Sequence, residues 1–466
     1  MRNALLVLSV LLFSNDVLAA APSDQAARLG KDLTEVGAER GPNPDGSIPA
    51  WQGGVFFSDE QKKYTVAKLE ALRKKDPKVF ENILKTQAGD KAVASYTITR
   101  DNWKQYQAKL SEGHKALFGA YPDYKMIVYP TVRNAFFPDE ILKATVANAT
   151  TAQLKGTDDV SGAKLGFPFP IPKSGAEPMW NHKLKFRGST VRRFNNQAIV
   201  KPDGDYKITK IVEDVKFKYA NLREPGGAAK DALLAYYLQE VMSPPRVAGQ
   251  ITLVHEAASG GESARKAWLY SPGLGRVNRA PDVGFDNPSI GSDGEQFYDQ
   301  IDVFNGALDR YDWKLIGKKE ILIPYNSFLI NSAAYQYKDL IRPGHLNQDL
   351  ARYELHRVWV VEANLKKGTR HRFAKRVFYL DEDSWSIAGV DCYDQRGQLW
   401  KVQEAHLITL PFIPTVSGIP ETIYDLQSKR YFVTTMTNED AISNFEIVFD
   451  DKVFTPAALQ RKARTQ

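Results

Sequence analysis

The segment from Ala351 to His406 constrains the fold more than any other part of the 466-residue chain. It contains four runs rich in β-branched and aromatic residues, with a turn of about four residues after each of the first three. The predicted strands are Tyr353–Ala363, Arg372–Leu380, Trp385–Tyr393 and Leu399–His406. Because turns this short join antiparallel neighbours, whereas parallel strands need long crossovers, the sequence predicts a four-stranded antiparallel meander.

The strands of this meander carry apolar side chains on both faces. Val358 to Val361 are consecutive apolar residues, as are Val377 to Leu380. A sheet with one face in water would alternate apolar and polar residues, so something must cover both faces here. Two explanations remain open. Helices cover one side and loops the other, or the sheet is curved and its second face lines a cavity for an apolar ligand.

Four tryptophans are the candidate ligand-binding residues under the second explanation, because a carrier needs a broad lining with few polar anchors. Trp359, Trp385 and Trp400 lie within the meander, and Trp268 lies on a further strand predicted for Arg265–Tyr270. Which of them faces inward stays open, since a shift of one residue in strand register reverses the answer.

The rest of the chain divides by pattern into three parts. Residues 20–57 are dense in turn residues and predict an extended arm. Residues 58–182 have near-helical spacing of apolar residues and predict a helical region. Residues 183–466 return to strand patterns, including a hairpin around Lys201-Pro-Asp-Gly-Asp, and predict the sheet domain with a C-terminal covering segment. The fold class is therefore α+β, with helices packed against a large antiparallel sheet.

The N-terminus has the pattern of a secretory signal peptide, residues 1–19. Arg2 precedes an apolar run from Ala4 to Phe13, and Val17-Leu-Ala ends on a small residue, so we expect cleavage after Ala19 or one residue later. No later segment has about 18 uninterrupted apolar residues, which predicts a soluble mature chain. The single cysteine, Cys392, excludes an intramolecular disulfide and lies in a strand-like context typical of a buried, inert thiol.

Three motifs together carry a family resemblance. They are Trp268-Leu-Tyr-Ser-Pro-Gly-Leu-Gly-Arg-Val-Asn-Arg, Lys375-Arg-Val-Phe-Tyr-Leu-Asp-Glu-Asp-Ser-Trp and Phe167-Pro-Phe-Pro-Ile-Pro-Lys-Ser-Gly. Over nearly the whole chain the sequence resembles domain-of-unknown-function family 1329 of Gram-negative bacteria, which is similar to the outer-membrane lipoprotein-sorting proteins LolA and LolB. The resemblance implies a strongly curved antiparallel sheet, a LolA-like half-barrel closed by helices, with an apolar concave face. It brings no catalytic chemistry with it, since fold does not fix function.

The sequence lacks the patterns of common catalytic and metal sites. The seven histidines include no pair with His-Glu-x-x-His spacing, and no glycine-rich phosphate loop is present. Ser263 and Lys266 match the Ser-x-x-Lys spacing of penicillin-recognising enzymes, but they lead into a strand instead of starting a helix. Asp381 and Asp383 could hold calcium, but they lie in a predicted hairpin turn, where aspartate bonds its own backbone. We predict no catalytic residue, no metal and no cofactor.

These observations predict an exported, non-enzymatic protein of the periplasm, free or associated with the outer membrane, that carries a lipid-like or other hydrophobic small molecule. The other expected partners are an inner-membrane transporter or an outer-membrane protein. Nucleic acid is not expected, because the 62 basic and 55 acidic residues leave a small excess that forms no stripe. The first alternative is a structural or interaction module of an envelope complex whose core is filled by its own side chains. The second is a hydrolase with a dispersed site.

Overall fold

The computed structural model describes residues 17–18, 21–54, 57–229, 232–258, 265–280, 285–410 and 412–464. Its strands are β1 (Val17–Leu18), β2 (Tyr96–Ile98), β3 (Met126–Tyr129), β4 (Gln153–Lys155), β5 (Asp159–Ser161), β6 (Thr190–Phe194), β7 (Asn196–Val200), β8 (Tyr206–Phe217), β9 (Leu233–Ser243), β10 (Ile251–Ala257), β11 (Arg265–Ser271), β12 (Arg276–Ala280), β13 (Tyr311–Pro324), β14 (Tyr353–Leu365), β15 (Lys375–Asp381), β16 (Ile387–Tyr393), β17 (Leu399–Leu410), β18 (Thr415–Asp425) and β19 (Tyr431–Met436). Its α-helices are α1 (Ser23–Ala26), α2 (Val66–Lys75), α3 (Val79–Ala88), α4 (Glu112–Ala120), α5 (Asp139–Thr151), α6 (Ala176–Leu184), α7 (Tyr337–Leu340) and α8 (Pro456–Arg464).

Most strands form one large open sheet. Its order is β12-β11-β10-β9-β8-β7-β19-β18-β17-β16-β15-β14-β3-β2. Strand β13 pairs with the other edge of β14, and β6 pairs with β8 beyond the end of β7. Among the described pairings in this sheet, all are antiparallel except that of β3 with β14. The predicted α+β class, with a large antiparallel sheet and helices against it, is confirmed.

The predicted meander is confirmed as β14 to β17. Each of these strands pairs with the next in antiparallel register, beginning with Val358 opposite Asp381. The predicted hairpin is confirmed as β7 and β8, with Val200 opposite Tyr206. Its turn contains Gly204 at a φ of 88°, in the left-handed region that glycine enters without a steric penalty.

Both faces of the meander are filled by side chains. Helix α4 lies against one face, where the Gly113 N–H donates to Asp391 at 3.0 Å. A Cβ at this glycine would lie 2.3 Å from the Asp391 carboxylate, so the close approach requires glycine. Cys392, its neighbour on β16, points to the opposite face and belongs to the hydrophobic cluster that includes Trp180 and Leu184 of α6.

The region predicted to be helical, residues 58–182, contains α2 to α5 and most of α6, but it also contributes strands. Strand β3 enters the large sheet beside β14, where Val128 pairs with Tyr353 in parallel. Strands β4 and β5 form a small separate sheet with Val17–Leu18. Strands of three or four residues are too short to show a clear alternating pattern, which explains why the sequence predicts helices throughout this region.

The N-terminal arm is bound through its backbone to the meander and to the segment that follows β3. The indole Nε1 of Trp385 donates to the Val36 carbonyl at 2.9 Å, and Arg133 donates to the carbonyl oxygens of Glu39 at 2.8 Å and Pro49 at 3.2 Å. The predicted cleavage site at Ala19 and most of the predicted signal peptide lie outside the described residues.

The C-terminal segment covers one face of strands β9 to β12. Leu459 of α8 and Phe454 are almost fully buried there, against Leu253 and Tyr270. Trp268 belongs to this same cluster as a half-buried member. The opposite face of these strands is therefore the one left to line a cavity.

Candidate ligand-binding cavity

A cavity of about 180 Å³ lies against the second face of strands β8 to β11 and of β6. Strand pairing sets its wall residues in three rows across the sheet. The rows are Arg193, Glu213, Gln239 and Thr252; then Val191, Val215, Tyr237 and Val254; then Phe217, Ala235, Glu256 and Arg265. All of these except Glu213 line the cavity. Because alternate residues of a strand share a face, strand register alone creates this wall.

The middle row is mainly apolar, and the rows beside it carry ion pairs. Arg193 Nε lies 2.7 Å from Glu213 Oε2, and Arg265 Nε lies 2.6 Å from Glu256 Oε2. Each pair joins directly opposite residues on neighbouring strands, which is where cross-strand charges attract most strongly. The wall is thus an apolar strip between charges that are already paired.

Three other parts of the chain contribute most of the remaining wall residues. One is the end of α6 and the residues after it: Lys183, Leu184, Lys185 and Arg187. The second is a long loop before β13: Ser289, Ile290, Gln296, Tyr298, Ile301, Asp302 and Asn305. The third is β18 with β19: Ser417, Gly418, Ile419, Glu421, Thr434 and Thr435. Protein cavities of about 150 Å³ can take up benzene, so this one has room for a small organic molecule.

A charged cluster at one end of the cavity centres on Asp302. Its carboxylate Oδ2 lies 2.8 Å from Arg187 Nη2 and 3.2 Å from Lys185 Nζ. His182 lies behind it, with Nε2 2.8 Å from the Asp302 carbonyl and Nδ1 accepting from the Ile387 N–H at 3.2 Å. Both ring nitrogens are therefore used within the protein, and His182 positions the loop that carries Asp302.

Burial shifts the pKa values of this cluster. Burial and then the charge of Lys185 lower the pKa of His182 to about 3, so the imidazole is neutral at pH 7. Burial lowers the pKa of Lys185 to about 8, although Asp302 opposes the change. Burial and then the charge of Asp302 raise the pKa of Glu421 to about 8. At neutral pH, Lys185 is mainly a cation and Glu421 is mainly protonated.

The four tryptophans named as candidates do not line this cavity. Trp359 and Trp385 stack on each other, with ring centroids 6.1 Å apart and an interplanar angle of 10°. Trp400 packs against Phe373 at 5.5 Å, and Trp268 packs against His255 at 4.8 Å under the C-terminal segment. The structure brings two of the four together and leaves the other two apart. Their role in ligand binding stays a prediction.

A second cluster of ligand-type atoms lies under the turn between β15 and β16. His356, Asp381 and Asp383 offer nitrogen and oxygen atoms within 4.8 Å of one another, and all three are buried. Arg133 takes both oxygens of Asp383, at 2.7 and 2.9 Å. Glu354 faces the second ring nitrogen of His356 at 3.3 Å. A histidine with a carboxylate at each nitrogen is arranged as an imidazolium, so this cluster is better described as an ion-pair network than as a metal centre.

Comparison with known proteins identifies the family. The model of the family described as "Protein of unknown function (DUF1329)" matches residues 97–460. The chain belongs to the DUF1329 family. An uncharacterized protein of Pseudomonas aeruginosa is 41% identical over 459 residues, which cover 98% of this chain and 97% of the relative. The family resemblance predicted from the sequence motifs is thereby confirmed.

Two solved structures show lower similarity to this DUF1329 chain. A DUF1329 family protein from Desulfovibrio piger is 17% identical, with a TM-score of 0.40 over 58% of this chain and 92% of that one. A domain from Vibrio parahaemolyticus, described as an outer-membrane lipoprotein-sorting protein, is 16% identical, with a TM-score of 0.42 over 61% of this chain and 97% of that one. Within the described part of this DUF1329 chain, no helix has the length and apolar character needed to cross a membrane.

The cavity residues were not predicted from the sequence, although one signal for them exists. Lys185 and Arg187 flank Phe186 immediately after α6, and Lys183 lies in the last turn of that helix. Basic residues spaced by two share one side of an extended segment, which indicates a basic face opposite an apolar one. The strand residues of the wall carry no comparable local signal, because their neighbours across the sheet are distant in sequence.

Proposed function

We propose that this DUF1329 protein is a non-enzymatic carrier that binds an apolar or amphiphilic molecule in the cavity. The observation that supports the proposal most directly is the row Val191, Val215, Tyr237 and Val254, which forms a mainly apolar strip along a cavity wall. Ligand pockets are typically lined by apolar and aromatic side chains with a few polar groups that set orientation. The Asp302 cluster at one end supplies such groups.

The proposed site of action is the bacterial envelope. The signal-peptide pattern of residues 1–19 supports export to the periplasm, where the mature protein is free or associated with the outer membrane. A carrier in that compartment would receive its ligand from an inner-membrane transporter or deliver it to an outer-membrane protein. A role in ligand binding is still proposed for four tryptophans, Trp268, Trp359, Trp385 and Trp400. They would pack behind the cavity wall or form a separate apolar surface.

Titration with uncharged alkyl chains tests the proposal. We expect n-alcohols from hexanol to decanol to bind by isothermal titration calorimetry, with affinity rising as the chain lengthens. Each methylene buried contributes roughly 0.8 kcal/mol, which is about fourfold in affinity, until the cavity is filled. Absence of binding, or an affinity that ignores chain length, would contradict the carrier proposal.

A structural or interaction module is the second candidate, and a specific observation favours it. The meander is packed on both faces, and Trp385, in the turn between β15 and β16, is completely buried. The sheet is therefore filled where the apolar pattern is strongest, and the cavity lies at neighbouring strands. If the alcohols fail to bind while the folded protein is retained by an envelope complex, this second function is supported instead.

A further inference from the structure

The cations around the cavity outnumber the carboxylates that face them. Five basic side chains line it: Lys183, Lys185, Arg187, Arg193 and Arg265. The acidic groups among the lining residues and their ion-pair partners are Asp302, Glu213, Glu256 and Glu421. Burial and the charge of Asp302 raise the pKa of Glu421 to about 8, so this carboxyl is mainly protonated at neutral pH and three carboxylates are left to face five basic side chains. The basic side chains around the cavity therefore outnumber by two the carboxylates that are left to balance them.

This excess belongs to the basic residues at the end of α6 and directly after it. Arg193 and Arg265 each have a carboxylate of their own, Glu213 and Glu256. Lys185 and Arg187 share the single carboxylate of Asp302. Lys183 makes no ion pair within 4.0 Å in the described part of the chain, and its Nζ donates to the Gly306 carbonyl at 2.7 Å. Burial lowers the pKa of Lys183, although the charge of Glu256 opposes the change. The unneutralised charge thus belongs to the basic cluster, defined as Lys183, Lys185 and Arg187.

Two details show that the basic cluster has unused capacity for an anion. Arg187 Nε is buried without a hydrogen-bond partner in the described residues, although Arg187 Nη2 is well bonded. Buried donors in native proteins are nearly always paired, so an orphan beside a cavity indicates a site for an acceptor. The neutral Glu421 carboxyl, which also lines the cavity, can donate its proton in a hydrogen bond to an anionic oxygen.

The loop that carries Asp302 is held in an unfavourable backbone conformation. Asp302 and Val303 both have positive φ, 54° and 61°, and a β-branched residue in this region is an outlier. Glu421 accepts from the Val303 N–H at 3.1 Å and helps to hold the loop. Strain of this kind concentrates at ligand sites, where the surrounding structure fixes it. The strained turn places the Asp302 carboxylate against Lys185 and Arg187. It leaves Lys183 without an ion-pair partner in the described residues.

We propose that the ligand of this cavity has an anionic head group, a carboxylate or a phosphate, and that Lys183, Lys185 and Arg187 bind it. The inference deepens the proposed carrier function and rests on it. The head group lies at the Asp302 end, and the apolar part of the ligand lies along the row that contains Val215, Tyr237 and Val254. An anionic ligand would also supply a counter-charge to these partly buried cations and so remove the free-energy cost of burying them unpaired.

Four probes with the same decyl chain test the head group by calorimetry at pH 7: decanoate, decyl phosphate, 1-decanol and decyltrimethylammonium. We expect the two anions to bind at least tenfold more tightly than 1-decanol, because charge-assisted hydrogen bonds are the stronger kind. Whichever of decanoate and decyl phosphate binds more tightly identifies carboxylate or phosphate as the natural head group. Equal binding of anion and alcohol, or tighter binding of the cation, overturns the inference but leaves the carrier function standing. Absence of binding by all four overturns both.

Acetate and inorganic phosphate, as free anions, separate the two possible sources of the charge. We expect each to bind at least a hundredfold more weakly than the decyl compound with the same head group, because the apolar row contributes nothing to it. A free anion that binds as tightly as its decyl form would overturn the inference, since the cavity would then be a simple anion site.

Single variants locate the head group. We expect Lys183→Gln and Lys185→Gln each to weaken decanoate binding about tenfold and to weaken 1-decanol binding much less. Lys216→Gln is the matched control, because Lys216 is a buried lysine of β8 on the opposite face, paired with Asp451 at 2.7 Å and Glu224 at 3.1 Å. If Lys185→Gln does not fold, the result for Lys183→Gln alone decides where the head group binds. Loss of decanoate binding in Lys216→Gln equal to that in the folded cavity variants overturns the assignment.

Discussion

At the scale of single residues, His356 shows how a buried ion pair sets a protonation state. Its Nε2 faces Glu354 at 3.3 Å, its Nδ1 faces Asp381 at 3.5 Å, and its ring stacks on Tyr325 with centroids 4.1 Å apart. Burial alone would lower the pKa of His356, but hydrogen bonds to Asp381 and Glu354 outweigh it and raise the pKa to about 9. The His356 imidazolium then links β14 and β15 through its ion pairs with Glu354 and Asp381.

The raised pKa of His356 predicts a loss of stability at alkaline pH. Its contribution is complete below the unfolded-state pKa of about 6.5 and disappears as the pH rises through about 9. We expect the free energy of unfolding in urea to fall between pH 7 and pH 10, with His356 accounting for a few kcal/mol, on the order of 3. His356→Gln should be less stable at pH 7 and should have a flatter pH profile. Parallel profiles for the two proteins would contradict this assignment.

Cys392 provides a second test at this scale. Its side chain is completely buried, its Sγ lies 3.7 Å from Gln403 Oε1, and burial raises the pKa of the thiol. Because the thiolate is the reactive form, we expect a maleimide reagent to label this thiol only after denaturation. Mass spectrometry of the native protein after a short exposure checks the expectation. Stoichiometric labelling of the native protein would show that β16 opens readily.

At the scale of secondary-structure elements, α8 acts as a cover for strands β9 to β12. Leu459 is 1% exposed and packs against a cluster that contains Leu238 and Ile251. We expect Leu459→Ala to lower the free energy of unfolding by about 2–5 kcal/mol, the usual range for a buried leucine. Arg461→Ala, at an exposed position of the same helix, is the control and should change it by less than about 0.5 kcal/mol. Equal effects of the two substitutions would show that α8 is not packed as described.

Elements also show what the sequence could and could not predict. The meander was predictable because short turns join its strands, so pairing follows from neighbours in sequence. The parallel pairing of β3 with β14 was not, because Val128 and Tyr353 are far apart in the chain and no local pattern joins them. The cavity was missed for the same reason: Val191, Tyr237 and Val254 become neighbours only through the register of β6 and β8 to β10.

At the scale of the whole molecule, the proposed export would determine which form of the chain is functional. If residues 1–19 are a signal peptide, N-terminal sequencing of periplasmic protein will begin at Ala20 or Ala21. Cleavage there removes Val17–Leu18, which pair with β4, so the small sheet keeps only β4 and β5. A full-length form that begins at Met1 and accumulates in the cytoplasm would contradict the proposed location.

Filling the cavity tests the central claim most directly. Val254 lies in the middle row of the wall, and Val254→Trp would occupy space that the ligand needs. Leu274→Trp is the matched control, because it places the same side chain in an exposed turn after β11. With both variants folded, as checked by thermal unfolding, we predict that Val254→Trp weakens 1-decanol binding at least tenfold and that Leu274→Trp binds like the original protein. Unchanged binding by Val254→Trp would contradict the claim that this cavity is the ligand site.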